Sequence, residues 1–126
     1  MRVHNPEGMA APFATYSHGI ELDQPQRLLF GAGQVGVGPD GEVGADVAEQ
    51  ARRVWDNIRA VLAEADMEIT NIVQLNMYLL DRADREAAHA VRQEVLGDHR
   101  PASTLLYVSG LSRPEWRLEI DFIAAD

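Results

Sequence analysis

Glu119 is the side chain whose type and position best suit chemistry. It lies within residues 116–124, where apolar and polar residues alternate, and this alternation predicts a β-strand. A carboxyl group held away from solvent on such a strand can take a proton from a reacting group. Two other outcomes are more common for a strand glutamate: exposure to solvent, or an ion pair, here with Arg117 or Arg113.

Ser103, Tyr16 and two arginines are further polar candidates. Ser103 lies at the start of a predicted strand without an obvious His-Asp partner, so a hydrogen-bonding role is more common for it than a nucleophilic one. Tyr16 is either a core aromatic residue or the wall of a pocket. Arg100 and Arg113 could each hold a carboxylate through two parallel hydrogen bonds, although a loop arginine is more often simply solvated.

Several kinds of site have little or no support in the sequence. There is no cysteine, which excludes disulfides and thiolate nucleophiles. The four histidines, His4, His18, His89 and His99, do not have the spacing of metal ligands. The glycines that follow Phe30 do not continue into a Gly-x-Gly-x-x-Gly helix, and neither Gly-Lys-Ser/Thr nor Gly-x-Ser-x-Gly occurs. The sequence therefore predicts no metal site and no nucleotide-binding loop.

Length and charge limit the class of protein. The chain has 126 residues, which predicts a single domain over residues 1–126. Its net charge is −9, from 20 acidic and 11 basic residues, so its surface repels nucleic-acid phosphates. No apolar run approaches the roughly 18 residues of a membrane span, and no secretory signal is recognisable near Met1. We expect a soluble cytoplasmic protein with no nucleic-acid or membrane partner.

Hydrophobic periodicity predicts the elements that must position these side chains. Helices are expected over residues 46–65, where Asp46 and Glu49 have capping-box spacing, and over 84–96, ending near Gly97. Strands are expected over residues 15–22, 27–32, 72–80, 102–109 and 116–124, with the first two forming a hairpin. The order ββαβαββ predicts an α+β fold in which two helices cover one face of one small sheet.

The face of the sheet away from the helices is also expected to be partly apolar. On the strand at 72–80, Ile72, Tyr78 and Leu80 alternate onto the same face as two amides; on the strand at 102–109, Leu105 and Tyr107 accompany Ser103. Covering apolar area gains roughly 25 cal/mol per Å², and the chain has no third helix to do so. We therefore predict that another copy of the chain covers this face, in a homo-oligomer.

A series of short segments carries a resemblance to a known family. They are Tyr16-Ser17-His18-Gly19, Phe30-Gly31-Ala32-Gly33-Gln34-Val35, Gly41-Glu42-Val43, Asp46-Val47-Ala48-Glu49-Gln50-Ala51, Asp56-Asn57-Ile58, Val61-Leu62, Pro101-Ala102-Ser103, Glu119-Ile120 and Ile123-Ala124. In this order the segments span nearly the whole chain. The chain resembles the YjgF/RidA family, also called the L-PSP or enamine/imine deaminase family.

The resemblance implies a fold, an assembly and a reaction. The implied fold is chorismate-mutase-like, in homotrimers whose sheets form an inner barrel with the helices outside and a cleft between each pair of subunits. In deaminating members, an arginine after Pro-Ala binds the substrate carboxylate, and a carboxylate on the last strand helps to activate a water. That water attacks the C=N carbon of a 2-imino acid and yields a 2-oxo acid and ammonia. No cofactor or metal is implied, because an imine is already electrophilic.

Carried over by position, the resemblance implies a set of site residues. Glu119 corresponds to the water-activating glutamate and is the implied catalytic residue. The implied substrate-binding residues are Tyr16, Gly31, Ala32, Gly33, Gln34, His89, Ser103 and Leu105. Ser103 stands where the family has its carboxylate-binding arginine. Loss of that ion pair would cost on the order of 2–5 kcal/mol if a substrate carboxylate stayed buried and unpaired, so we predict little or no activity on simple 2-imino acids.

Three functions are compatible with this sequence. The leading hypothesis is a homotrimer that hydrolyses another small enamine/imine-type or related metabolite in its intersubunit clefts. The second is a non-catalytic module that binds a metabolite or another protein. The third is an ordinary 2-iminobutanoate/2-iminopropanoate deaminase in which Arg100, or an arginine of the adjacent subunit, replaces the missing arginine. Arg100 lies three positions earlier and precedes a proline with a fixed φ. The ribonuclease activity also attributed to the family is disfavoured here by the net charge of −9.

Overall fold

Two helices form where the sequence predicts them. In the computed structural model, which describes residues 1–126, α1 spans Val47–Glu64 and α2 spans Arg85–Leu96. Asp46 caps α1 by accepting a hydrogen bond from the Glu49 N–H at 2.8 Å. Gly97 ends α2 with a φ of 56°, a left-handed conformation that favours glycine. The buried stripe of α1 includes Val47, Ala51, Val54, Ile58 and Leu62.

Six strands accompany the helices. They are β1 (Arg2–His4), β2 (Gly19–Glu21), β3 (Leu28–Val35), β4 (Ile72–Leu79), β5 (Ala102–Tyr107) and β6 (Leu118–Ala125). The last four form a mixed sheet in the order β3-β6-β4-β5, in which only β4 and β5 are parallel. Both helices lie on one face of this sheet, against buried residues of β4 and β6 such as Leu75 and Ile120. The predicted α+β fold is confirmed. Neither helix is both long and apolar enough to cross a membrane.

The predicted hairpin between the first two strands is wrong. β2 pairs with β1, a strand that the sequence analysis missed, and β3 pairs with β6. The reason is an anchor at the other edge of the sheet: buried Ser17 donates its N–H to the Pro101 carbonyl oxygen at 3.1 Å and bridges to Ala102. The segment before β2 therefore runs along β5, at the sheet edge opposite β3.

The predicted faces of β5 and of Ile72 are also wrong. The parallel register sets Ser103, Leu105 and Tyr107 beside Leu75, Met77 and Leu79 of β4, on the helix-covered face. A change of register between Ile72 and Gln74 turns Ile72 into the core, where it is fully buried. Alternation alone could not decide between the faces, because both sets of residues on β5 include apolar side chains.

The opposite side of the sheet, called the open face below, has no helix over it. It carries Phe30 and Leu106, which are 71% and 51% exposed. Between them lies a polar cluster on β4 and β6, in which Tyr78 Oη and the Asn76 amide donate to the Asp121 carboxylate at 2.9 and 2.8 Å. Because of this hydrogen bond, the pKa of Tyr78 is raised above its usual value. The open face therefore mixes exposed apolar side chains with a preformed hydrogen-bond network.

Substitution of Gly31 tests how closely β3 packs against β6. A Cβ added at this position would lie 2.1 Å from the ring of Phe122, which is 2% exposed. We expect Gly31→Ala to lower the free energy of unfolding by about 1–3 kcal/mol through overpacking, measured as a lower thermal midpoint at fixed protein concentration. Gly110→Ala is the control, since nothing lies within 4 Å of its added Cβ. Equal midpoints for the two variants would contradict the packing described here.

Candidate functional site

A pocket of about 270 Å³ lies between α2 and β5, and we call it the α2–β5 pocket. It is lined by Phe13, Ala14, Tyr16, Arg85, His89, Arg92, Ser103 and Leu105. Tyr16, His89, Ser103 and Leu105 were implied as site residues by the family resemblance, and the structure brings these four together. A larger depression of about 590 Å³ at the chain termini contains none of the implied site residues.

The local structure explains why these residues meet. The anchor of Ser17 at the start of β5 brings Tyr16 to the pocket, where its Oη accepts the Phe13 N–H at 3.2 Å. His89 and Arg92 are three residues apart and therefore share one face of α2. Ser103 and Leu105 are two residues apart on β5 and so point to the same side of the sheet.

Arg92 is the site residue that the sequence analysis missed. It is only 4% exposed, and its Nη1 donates to Ser103 Oγ at 3.0 Å while its Nη2 donates to the Thr15 carbonyl oxygen at 2.7 Å. Its Nε has no hydrogen-bond partner. Burial, followed by repulsion from Arg100 and Arg85, lowers the pKa of Arg92 to about 10, so the guanidinium stays charged at neutral pH. The spacing His89-x-x-Arg92 was the available signal, but a helical arginine is usually solvated.

The electrostatics of the α2–β5 pocket differ from those of the whole protein. Two arginines line it and no carboxylate does, although the chain carries a net charge of −9. Burial, and then the charges of Arg92, Arg85 and Arg100, lower the pKa of His89, so that its imidazole is neutral at pH 7. The pocket is therefore positive because of its guanidinium groups and not because of its histidine.

The arginines proposed from the sequence lie elsewhere. Arg100 Nη1 donates to the backbone carbonyl oxygens of Gly97 and His99, at 2.5 and 3.1 Å. Arg113 places its guanidinium carbon 5.6 Å from the ring centroid of Trp116. Neither arginine lines the α2–β5 pocket.

Glu119 lies on the open face, away from the α2–β5 pocket. Its neighbours there include Tyr78 and Gly33, where an added Cβ would lie 2.8 Å from Glu119 Cδ. Arg117, one of its predicted partners, instead pairs with buried Asp84 through contacts of 2.7 and 3.1 Å. None of the salt bridges of the chain involves Glu119.

The remaining implied residues follow the path of β3 beside Glu119. Gly31 faces Phe122 on the helix-covered side, and a break in the β3–β6 register then lies between Gly31 and Gln34. Ala32 lies within this break and Gln34 directly after it. The Gln34 amide donates to the Ala32 carbonyl oxygen at 3.4 Å. The implied site residues therefore fall into two groups, one in the α2–β5 pocket and one along β3 and β6.

One chain does not bring Ser103 and Glu119 together. β4 separates their strands, which places them about 10 Å apart by strand spacing alone. They also point to opposite faces of the sheet. No group of three or more His, Cys, Asp or Glu side chains could hold a metal ion.

Comparison with known proteins gives the family. The family model described as Endoribonuclease L-PSP matches residues 8–126. A RutC family protein of Pyrococcus abyssi is 34% identical over 115 residues, which are 90% of this chain and 87% of that protein. The 2-iminobutanoate/2-iminopropanoate deaminase of Escherichia coli K12 is 30% identical over 122 residues, covering 94% and 92%. The crystal structure of YyfB, a conserved Rid family protein of Yersinia pestis, matches with a TM-score of 0.84 at 30% identity, over 98% of this chain and 97% of that one. The chain therefore belongs to the YjgF/RidA family.

Proposed function

We propose that the protein is a homotrimer that binds and hydrolyses a small enamine or imine metabolite in clefts between its subunits. The observation that carries this proposal is the placement of Ser103 in the α2–β5 pocket and of Glu119 on opposite faces of one sheet. A ligand of a few carbon atoms cannot touch both of these residues of one chain, but it can lie between the α2–β5 pocket of one copy and Glu119 of another. Phe30 and Leu106 are exposed on the open face, and burying these apolar side chains against a second copy would stabilise the assembly.

The proposed reaction uses Glu119 as a general base. The carboxylate takes a proton from water as the water oxygen bonds to the C=N carbon, and it passes that proton to the nitrogen. In the resulting amino alcohol the carboxylate moves the hydroxyl proton to the nitrogen, and the C–N bond breaks with its electron pair leaving on ammonia. A carbonyl group remains, so that imine and water become carbonyl compound and ammonia. Support comes from the E. coli relative named as a 2-iminobutanoate/2-iminopropanoate deaminase and from the salt bridges of the chain, none of which involves Glu119.

The proposed substrate is not a simple 2-imino acid. An arginine at position 103 would extend from β5, whereas the guanidinium beside Ser103 belongs to Arg92 and comes from α2, and Arg100 is turned toward backbone carbonyl groups. We therefore keep the prediction of little or no turnover of 2-iminopropanoate and 2-iminobutanoate. Longer enamines and imines, with more apolar surface to place against Leu105 and Tyr16, are the better substrates.

Replacement of Glu119 tests the catalytic proposal. We expect Glu119→Gln to slow ammonia release from the best substrate of a panel of freshly generated imines and enamines by about 10²- to 10⁴-fold, the usual contribution of a general base. Asp121→Asn is the matched control, because Asp121 lies two residues away on the same face with its carboxylate already hydrogen-bonded. If wild type and Glu119→Gln release ammonia at the same rate from every compound, the chain is not a hydrolase of this kind and a binding module is favoured.

The proposed assembly has its own test. Sedimentation equilibrium should give a mass close to three times the 13.9 kDa of one chain. Leu106→Asp, which sets a charge on the open face, should shift the distribution toward single chains while leaving the helical circular dichroism signal in place. A wild-type protein that sediments as one chain at every concentration would contradict the intersubunit site.

A further inference from the structure

We propose that the α2–β5 pocket binds the carboxylate group of the ligand and that Arg92 supplies the guanidinium that holds it. The ligand is then an organic anion with an apolar body longer than that of a 2-imino acid. The inference deepens the proposed function because it concerns the same cleft, but a carboxylate can bind at Arg92 whether or not Glu119 performs hydrolysis.

The burial of Arg92 without a counter-ion is the first support for this site. The chain has one other charged residue of comparable burial, Asp84, at 5% exposed compared with 4% for Arg92. Asp84 is paired with Arg117 through two contacts, as a buried charge normally is. Arg92 makes hydrogen bonds only to a hydroxyl and a carbonyl oxygen, and no carboxylate of the chain pairs with it. A buried cation without a partner is costly, and an anionic ligand would remove that cost.

The donor groups of Arg92 are incompletely used. A guanidinium has five N–H donors. Ser103 Oγ and the Thr15 carbonyl oxygen take one from each terminal nitrogen, and the Nε–H has no partner. Each terminal nitrogen therefore keeps one N–H, and Arg92 lines the pocket. Two donors on one planar group suit the two oxygens of a carboxylate.

The surroundings select the class of anion. Arg85 lines the same pocket and Arg100 is near enough to lower the pKa of Arg92, whereas no acidic side chain lines the pocket. This local positive field attracts anions to a protein that is negative overall. Phe13, Tyr16 and Leu105 supply an apolar wall, which favours a carboxylate on a hydrocarbon body over an inorganic ion.

The position of the guanidinium links Arg92 to Ser103. An arginine at position 103 would carry its charge away from β5 on a long side chain, whereas Arg92 approaches from α2 and holds its charge against the Ser103 hydroxyl. The carboxylate site thus moves toward α2, deeper in the α2–β5 pocket. A ligand that still reaches Glu119 of a neighbouring copy must then be longer than a 2-imino acid, in agreement with the proposed substrate class.

The test measures binding of stable probes to the full-length protein by calorimetry. We expect pentanoate to bind the wild type and pentanamide and inorganic phosphate to bind much more weakly. Arg92→Gln should weaken pentanoate binding by roughly 10- to 100-fold, the range for a hydrogen bond to a charged group. Arg113→Gln, which removes the same charge outside the pocket, should leave binding unchanged.

A rescue variant separates a binding role from a structural one. Arg92→Gln combined with Ser103→Arg returns one guanidinium to the pocket from β5, and we expect it to recover most of the lost pentanoate affinity. Arg92→Lys should fold and keep the charge but bind less tightly, since it lacks the planar pair of donors. The proposal is overturned if pentanamide or phosphate binds as well as pentanoate, if folded Arg92→Gln or Arg92→Lys keeps full affinity, or if the rescue variant folds and binds no better than Arg92→Gln. These binding measurements do not depend on turnover, so they test the role of Arg92 even if Glu119 proves not to be a general base.

Discussion

The guanidinium of Arg92 connects three segments of the chain. From α2 it reaches Ser103 on β5 and the backbone of Thr15, which precedes β2. These contacts hold the segment around Tyr16 against the sheet edge and define the walls of the α2–β5 pocket. They also keep a positive charge below the protein surface in a chain of net charge −9. The form and the electrostatics of the pocket therefore have a common cause.

The second constraint is that the four-stranded sheet is covered on one face only. The helices bury the face that includes Leu75 and Ile120, and the open face keeps Glu119 beside exposed apolar side chains. Since Ser103 faces the helices, the residues of the α2–β5 pocket that could bind a ligand and the residue that could activate water lie on different sides of the same sheet. In the proposed trimer, the same contacts that would cover the open face would also complete the site. Assembly and activity are then expected to be lost together.

Local patterns determined much of the fold from the sequence. The capping residue Asp46, the apolar spacing along α1 and the terminal Gly97 of α2 are signals that involve only neighbouring residues, and these predictions are confirmed. The prediction of a hairpin was wrong because Ser17 holds its first segment at the start of β5, and this is a contact between distant parts of the chain. The prediction of which β5 side chains face the helices was wrong because this depends on the parallel register with β4. Alternation along one strand does not contain that register.

The site was less accessible to sequence reasoning than the fold. Position by position, the family resemblance selected Tyr16, His89, Ser103 and Leu105, which the structure does bring together. It could not select Arg92, because Arg100 is the arginine nearest to Ser103 in sequence, whereas Arg92 is near Ser103 only in space. Helical spacing sets Arg92 beside His89, but only the packing of α2 against β5 shows that its charge is buried and reaches Ser103.

The measurement that most directly tests the shared site is activity in mixed oligomers. Glu119→Gln lacks the proposed base. His89 is half-exposed on α2 and lines the α2–β5 pocket, so the larger side chain of His89→Trp should fill the pocket and block ligand binding. Each variant alone should be inactive on the best imine or enamine substrate. If each cleft takes its pocket and its glutamate from different copies, about one quarter of the clefts in a randomly reassembled equal mixture contain both intact halves, and the mixture should show about one quarter of wild-type activity. A mixture as inactive as its two parents would contradict a cleft shared between subunits.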